Sequence, residues 1–258
     1  LDVYGDAEEL VKTFRAFSKQ VKPNGSFFVK NGLPLKGITY GLEDDSDYRA
    51  ENITIQNGAY NFDFCTPEHS YKNFQFNLPG RHNLSNAIIA LAMAATYGCP
   101  HQQLAKGLAS YKGVRRRFTY HIKTEDLVLI DDYAHHPQEI TAVYEALREM
   151  YPDKTLLAIF QPHLYSRTRD FADGFADSLS KFDELILLDI YPAREQPIEG
   201  VTSAWLLDKI EHPHKALVDK TELAQAVTKT NASVILTIGA GDIGEVVKTI
   251  KKALTHAH

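Results

Sequence analysis

At 258 residues, 44% of them hydrophobic and 24% charged, the chain has enough material for one large α/β domain or two ordinary ones. A net charge of −5 supplies no global basic field for nucleic acid or an anionic membrane, so an anionic ligand must be held by local arginines or backbone amides. Cys65 and Cys99 form no CxxC pair, no signal peptide opens the chain, and the longest apolar run, 87–95, is too short to span a bilayer; a cytoplasmic protein without disulfides or a thiolate zinc site is expected.

In chain order, Leu10, Val11, Phe14 and Phe17 fall at helical spacing and predict an amphipathic helix over 10–17. Residues 26–30 read as a short strand. From 37 to 78 the period drops to two, through ITYGL, NITIQNGAYNFDF and KNFQFNL, with Asn57-Gly58 as a hairpin signal. That pattern predicts an antiparallel meander. Pro79-Gly80 then breaks the strand. An alanine-rich helix is expected over 83–97, with Asn83 as its N-cap and Gly98 and Pro100 closing it, and a second over 101–110.

After GVRRRF (113–118) strands and helices alternate. Strands are predicted at 127–130, 155–160, 184–188 and 233–238, and helices at 137–150, 168–179, 203–210, 221–228 and 243–254. Apolar strands alternating with helices imply a mostly parallel sheet covered on both faces. The domain boundary is placed near Phe118, giving domains 1–117 and 118–258.

Five polar clusters punctuate this pattern. Near the C-terminus, Gly239, Gly241 and Gly244 spell G-x-G-x-x-G between a strand and a helix. The dinucleotide fingerprint needs an acid about 20 residues later on a second strand, and none follows, so a tight strand-to-helix turn is the plainer reading. The three arginines of GVRRRF are either a solvated charge run or, after a glycine that permits sharp reversal, a phosphate contact. In GRHNLSN (80–86), a cap explains one asparagine. It does not explain His82, Asn83 and Asn86 together; an amide has the donor and acceptor an adenine edge needs. QPHLYSRTRDF (161–171) follows a strand and offers Gln161, His163, Tyr165, Arg167 and Arg169 to an anionic substrate, or else is a solvated loop with Thr168 as a cap.

IDDYAHHP (130–137) also leaves a strand end, and Pro137 opens a helix. Adjacent His135 and His136 point apart and no HExxH or cysteine set accompanies them, against a zinc site; no G-x-S-x-G elbow supports a hydrolase. A carboxylate and a tyrosine here suit ribose hydroxyls and a base.

The segments LDVYG, PGRHNLSNAIIA, GVRRRF, IDDYAHHPQEI, FQPHLYSRTRDF, DIYPARE and GAGDIG, in this order, resemble the Mur ligase family over nearly the whole chain. The resemblance implies an α/β chain made of the latter part of a central ATPase domain followed by a Rossmann-like C-terminal domain. It implies an ATP-dependent ligase joining L-alanine to the carboxylate of UDP-N-acetylmuramate through an acyl phosphate, in peptidoglycan precursor synthesis. The implied cofactors are ATP and Mg²⁺, and no metal ligand falls within this chain, the expected ones lying upstream of Leu1. His82, Asn83 and Asn86 resemble adenine-side contacts. Arg117 resembles the catalytic hinge residue that reaches the phosphates; Asp132 resembles the ribose ligand, with Tyr133 and His135 beside it. His163 and Arg167 resemble contacts to the muramate or alanine end.

Departures are a missing G-x-x-G-K-[ST] loop, no histidine ahead of LDVYG, and Leu164 where some members carry arginine. They predict that the chain alone does not catalyse ligation. The rival readings are a murein-tripeptide ligase of the same family, which shares AHHP, a non-catalytic nucleotide-binding module, and an oxidoreductase using GAGDIG. Oligomeric state stays open.

Overall fold

The computed structural model describes residues 7–56 and 58–257, so LDVYG and Asn57 lie outside the described residues. The chain divides into two compact units, Leu1–Lys112 and Gly113–His258. Residues 113–117 go with the second unit because the backbone carbonyl of Arg116 accepts from Tyr133 N–H at 2.8 Å, tying that turn to the following sheet. No described helix is long and apolar enough to cross a membrane.

The first unit opens with α1 (Ala7–Ser18) and builds a five-stranded sheet in sequence order: β1 (Phe28–Lys30), β2 (Ile38–Leu42), β3 (Tyr48–Gln56), β4 (Ala59–Cys65) and β5 (Ser70–Phe76). Of the antiparallel meander expected over 37–78, only β3–β4–β5 is antiparallel, with β3 and β4 meeting at Gln56↔Ala59 to flank the predicted turn; the ITYGL strand β2 departs from it. Ahead of it, β1–β2 and β2–β3 pair in parallel, so the sheet is mixed. The five-residue reversal that makes this possible is held by its acids: Asp47 accepts from Thr39 N–H and Oγ1–H, Asp44 accepts from Ser46 N–H, and Glu43 takes a left-handed φ of 51°. Tyr60, Phe64 and Phe74 are fully buried, with the Phe64 and Phe74 rings 5.5 Å apart. Against this sheet lie α2 (Arg81–Thr96) and α3 (His101–Ser110).

The second unit is a three-layer α/β/α sandwich. Its six strands are β6 (Thr119–Lys123), β7 (Val128–Asp132), β8 (Leu156–Phe160), β9 (Glu184–Leu187), β10 (Lys215–Leu217) and β11 (Val234–Ile238). Their order is β10-β9-β8-β11-β7-β6, parallel throughout except for β6. Every residue of β7, β8 and β11 is buried, as strands covered on both faces require.

One face packs α4 (Pro137–Met150), α6 (Ala172–Leu179) and α7 (Ser203–Lys209) through Ile140, Phe175, Leu179 and Leu206. The other packs α8 (Leu223–Val227) and α9 (Ile243–Ala257) through Leu223, Ile243, Val247 and Ile250. The helix expected over 168–179 is two helices: α5 (Tyr165–Asp170) precedes α6, and Phe171 is the break between them.

Candidate functional site

β7, β11 and β8 end level with one another, since Asp132 pairs with Ile238 and Ile238 with Phe160. Their following loops therefore leave from one edge of the sheet, where open parallel sheets bind ligands. Those loops carry most of the residues singled out in the second unit.

Arg116 is the keystone of this edge. Its guanidinium donates to Asp131 Oδ2 at 3.3 Å, to Gly241 O at 3.2 Å and to Gly239 O at 2.5 Å, and lies 5.0 Å from the Tyr133 ring centroid. Asp131 is 2% exposed and also accepts from Thr237 Oγ1, so the ion pair is closed off from water on the acid's side. Arg117, next in sequence, is exposed and only grazes the same ring, 5.7 Å from its centroid. Arg116 is taken up by the scaffold, and Arg117 is open to solvent.

Asp132 is 6% exposed and uses both oxygens on backbone: Oδ2 accepts from Phe118 N–H at 2.7 Å and Oδ1 from Ala134 N–H at 2.8 Å. Burial pushes its pKa up, opposed by those two amides and by the charge of Arg117. The carboxylate thus fixes the turn that presents Tyr133. A carboxylate offers about four acceptor positions, so two remain for a hydroxyl.

From Tyr133 the side chains run on in contact. Tyr133 meets His135 edge-on at 5.4 Å, His135 faces His163 at 6.3 Å, and His163 stacks on Tyr191 at 5.7 Å. The two imidazoles present opposite faces of their chemistry. His135 Nδ1–H donates to Tyr133 O at 2.9 Å, which leaves its Nε2 as the outer atom. Arg167, which has no acceptor, donates to His163 Nδ1 at 3.3 Å, so the proton of neutral His163 sits on Nε2. Burial, then the charges of Arg167 and His135, holds His163 below the usual histidine range.

The GAGDIG loop is a packing device. Gly239, at φ 148°, would drive a Cβ to 2.7 Å from Gln161 O, and a Cβ on Gly244 would sit 2.8 Å from Arg116 Cζ. Gln161, 2% exposed, ties the loop down further, accepting from Ile243 N–H at 2.9 Å and donating to Asp242 at 2.7 Å; Lys220 also bonds Asp242.

In the first unit, His82, Asn83 and Asn86 lie in the first turns of α2, with His82 and Asn86 exposed. Asn83 is not the N-cap. The helix begins two residues earlier, after Gly80 at φ 95°, and Asn83 Nδ2 donates back to Pro79 O at 2.7 Å. Tyr60 Oη, accepting from Gly80 N–H at 3.1 Å, is what sets the start. Thr168 is likewise no cap: it is fully buried and bonds Leu164 O, and the residue before α5 is Leu164, at φ 71°. Among the described residues no group of three His, Cys, Asp or Glu is placed to hold a metal ion.

Motif reading passed over Arg116 in favour of Arg117, and gave no role to Tyr191 and Glu195 of DIYPARE. The signal was available for the latter pair: they follow β9 as QPHLYSR follows β8.

Both units match models of one class of ligase. Residues 1–94 match the Mur ligase middle domain, and residues 116–241 match the Mur ligase, glutamate ligase domain. The chain belongs to the Mur ligase family. It is 59% identical over 256 residues, 99% of its length, to the UDP-N-acetylmuramate--L-alanine ligase of Christiangramia forsetii, and 58% identical over 254 residues to that of Flavobacterium psychrophilum. It spans 57% of the length of each of these relatives. Its fold is similar to the crystal structure of UDP-N-acetylmuramate-alanine ligase MurC from Thermotoga maritima, with a TM-score of 0.77 at 21% identity, covering 98% of this chain and 56% of that one.

Proposed function

We propose that this chain forms nucleotide-binding and acceptor-binding parts of a ligase that joins L-alanine to the carboxylate of UDP-N-acetylmuramate, at the expense of ATP, in peptidoglycan precursor synthesis. The reading carries with it a cytoplasmic location. The observation behind it is the run of neighbouring side chains Arg117, Tyr133, His135, His163 and Arg167 along one sheet edge, in a chain 59% identical to a protein named for that reaction.

Each residue has a task that its surroundings fit. Arg117 is exposed beside an aromatic face, suited to polyphosphate oxygens. Asp132 braces Tyr133 and keeps acceptor capacity for ribose hydroxyls. Arg167 and the Nε2–H of His163 form a cationic and donor pair for a substrate carboxylate. On α2, the Asn83 and Asn86 amides suit an adenine edge. ATP, when bound, supplies the phosphoryl group that makes a carboxylate oxygen a leaving group.

The test is phosphate release from ATP by the gene product that carries this sequence. Release should require both L-alanine and UDP-N-acetylmuramate, and Arg117→Ala should lower kcat/KM on the order of 100-fold. Turnover with a murein tripeptide instead of L-alanine would assign the tripeptide ligase. ATP binding without turnover on any acceptor would assign a nucleotide-binding module.

A further inference from the structure

The loop that follows β9 grips the loop that follows β8 at two points. The first is backbone: Leu164 N–H donates to Tyr191 O at 2.9 Å and Tyr191 N–H to Pro162 O at 2.8 Å, so His163 and Tyr191 pair as an isolated β-bridge. The second is a side chain. Glu195 Oε2 accepts from Ser166 N–H at 2.9 Å, and its other oxygen accepts from Ser166 Oγ–H. Those bonds hold the Glu195 carboxyl below its ordinary range.

Ser166 stands one residue before Arg167, on a helix with little support of its own. α5 has six residues, and Leu164 ahead of it takes a left-handed φ of 71° and offers no side-chain cap. A helix that short does not hold itself in water. What secures its first turn laterally is Glu195.

We propose that Glu195 is a positioning residue that fixes the Arg167–His163 pair by clamping Ser166, and so sets which nitrogen of His163 carries the proton. The functional half of this inference rests on the reading that this sheet edge binds the carboxylate-bearing substrates of a ligase. The bridge at Tyr191 holds His163 in place whatever Glu195 does. Loss of the clamp therefore moves Arg167 away from Nδ1 and frees the imidazole to take either tautomer. Glutamine preserves the clamp, since its amide oxygen accepts from Ser166 N–H and its amide N–H can donate to Ser166 Oγ.

The experiment is ¹⁵N NMR of the histidine rings, with kinetics alongside. In the wild-type protein the neutral His163 should show an unprotonated Nδ1 and a protonated Nε2. Glu195→Ala should give averaged shifts for both nitrogens, and Glu195→Gln should restore the wild-type pattern. An unchanged His163 signature in folded Glu195→Ala overturns the proposal. If that variant fails to fold, Ser166→Ala, which deletes only the hydroxyl contact, should displace the signature in the same direction, and no displacement overturns it.

In the gene product, Glu195→Ala should raise the KM for L-alanine or for UDP-N-acetylmuramate roughly 10- to 100-fold while kcat changes by about threefold or less. A changed tautomer with both KM values unmoved overturns the positioning role. A wild-type protein inactive on these substrates removes the ligase reading instead, and the clamp is then decided by the spectrum.

Discussion

Arg116 and Arg117 share a peptide bond and almost nothing else. The first has its guanidinium filled by one carboxylate and two carbonyls, and the second is open to solvent beside Tyr133. Residue identity could not separate them, because the difference lies in a chain reversal in which Arg116 takes φ 58° and Phe118 φ 47°. His163 shows a similar dependence on surroundings. Burial and the Arg167 charge lower its pKa, so the unfolded chain binds that proton more tightly than the folded one. Its contribution to stability is therefore complete above the ordinary histidine value of about 6.5 and is lost as pH falls below it. Urea unfolding should show stability rising with pH across that window, and His163→Gln should flatten the rise. Part of the slope remains in the variant, because burial lowers His121 as well. An unaltered slope in His163→Gln would contradict the assignment.

At the scale of elements, the turn between β11 and α9 lets three loops meet without a gap. Gly239 sits where a methyl group would strike the Gln161 carbonyl at 2.7 Å on a backbone of φ 148°. Gly239→Ala should cost about 2–4 kcal/mol by chemical denaturation, whereas Gly200→Ala, also at positive φ but with open space around it, should cost only about 1 kcal/mol. Equal losses would show that the backbone angle alone matters. The alternating pattern of the second unit was readable in advance because its strands are buried on both faces and its helices are amphipathic, two signals that local sequence carries. What escaped reading was decided by distant partners. β10 is three residues long and exists by pairing with β9. The start of α2 depends on Tyr60, and the parallel β2–β3 pairing depends on acids in the intervening loop. The polar clusters were legible as chemistry, but which arginine braces and which stays open needed coordinates.

For the whole molecule, the two units each possess a sheet, and the second carries a core on both faces of its own, from Phe118 through Leu254. A polypeptide of residues 113–258 should consequently fold alone, with a single urea transition that coincides by near-UV and far-UV circular dichroism. A broad or split transition would mean that its core is completed from elsewhere. Within that unit, the last strand in sequence is not at the margin. β11 sits between β7 and β8 and is hydrogen-bonded to both. While the chain is being synthesised, β7 and β8 therefore have no direct partner in each other, and the growing polypeptide holds two half-sheets with bare, greasy edges. Only when residues 234–238 clear the ribosome can the halves be stitched together, so this stretch of protein is at its stickiest until β11 arrives.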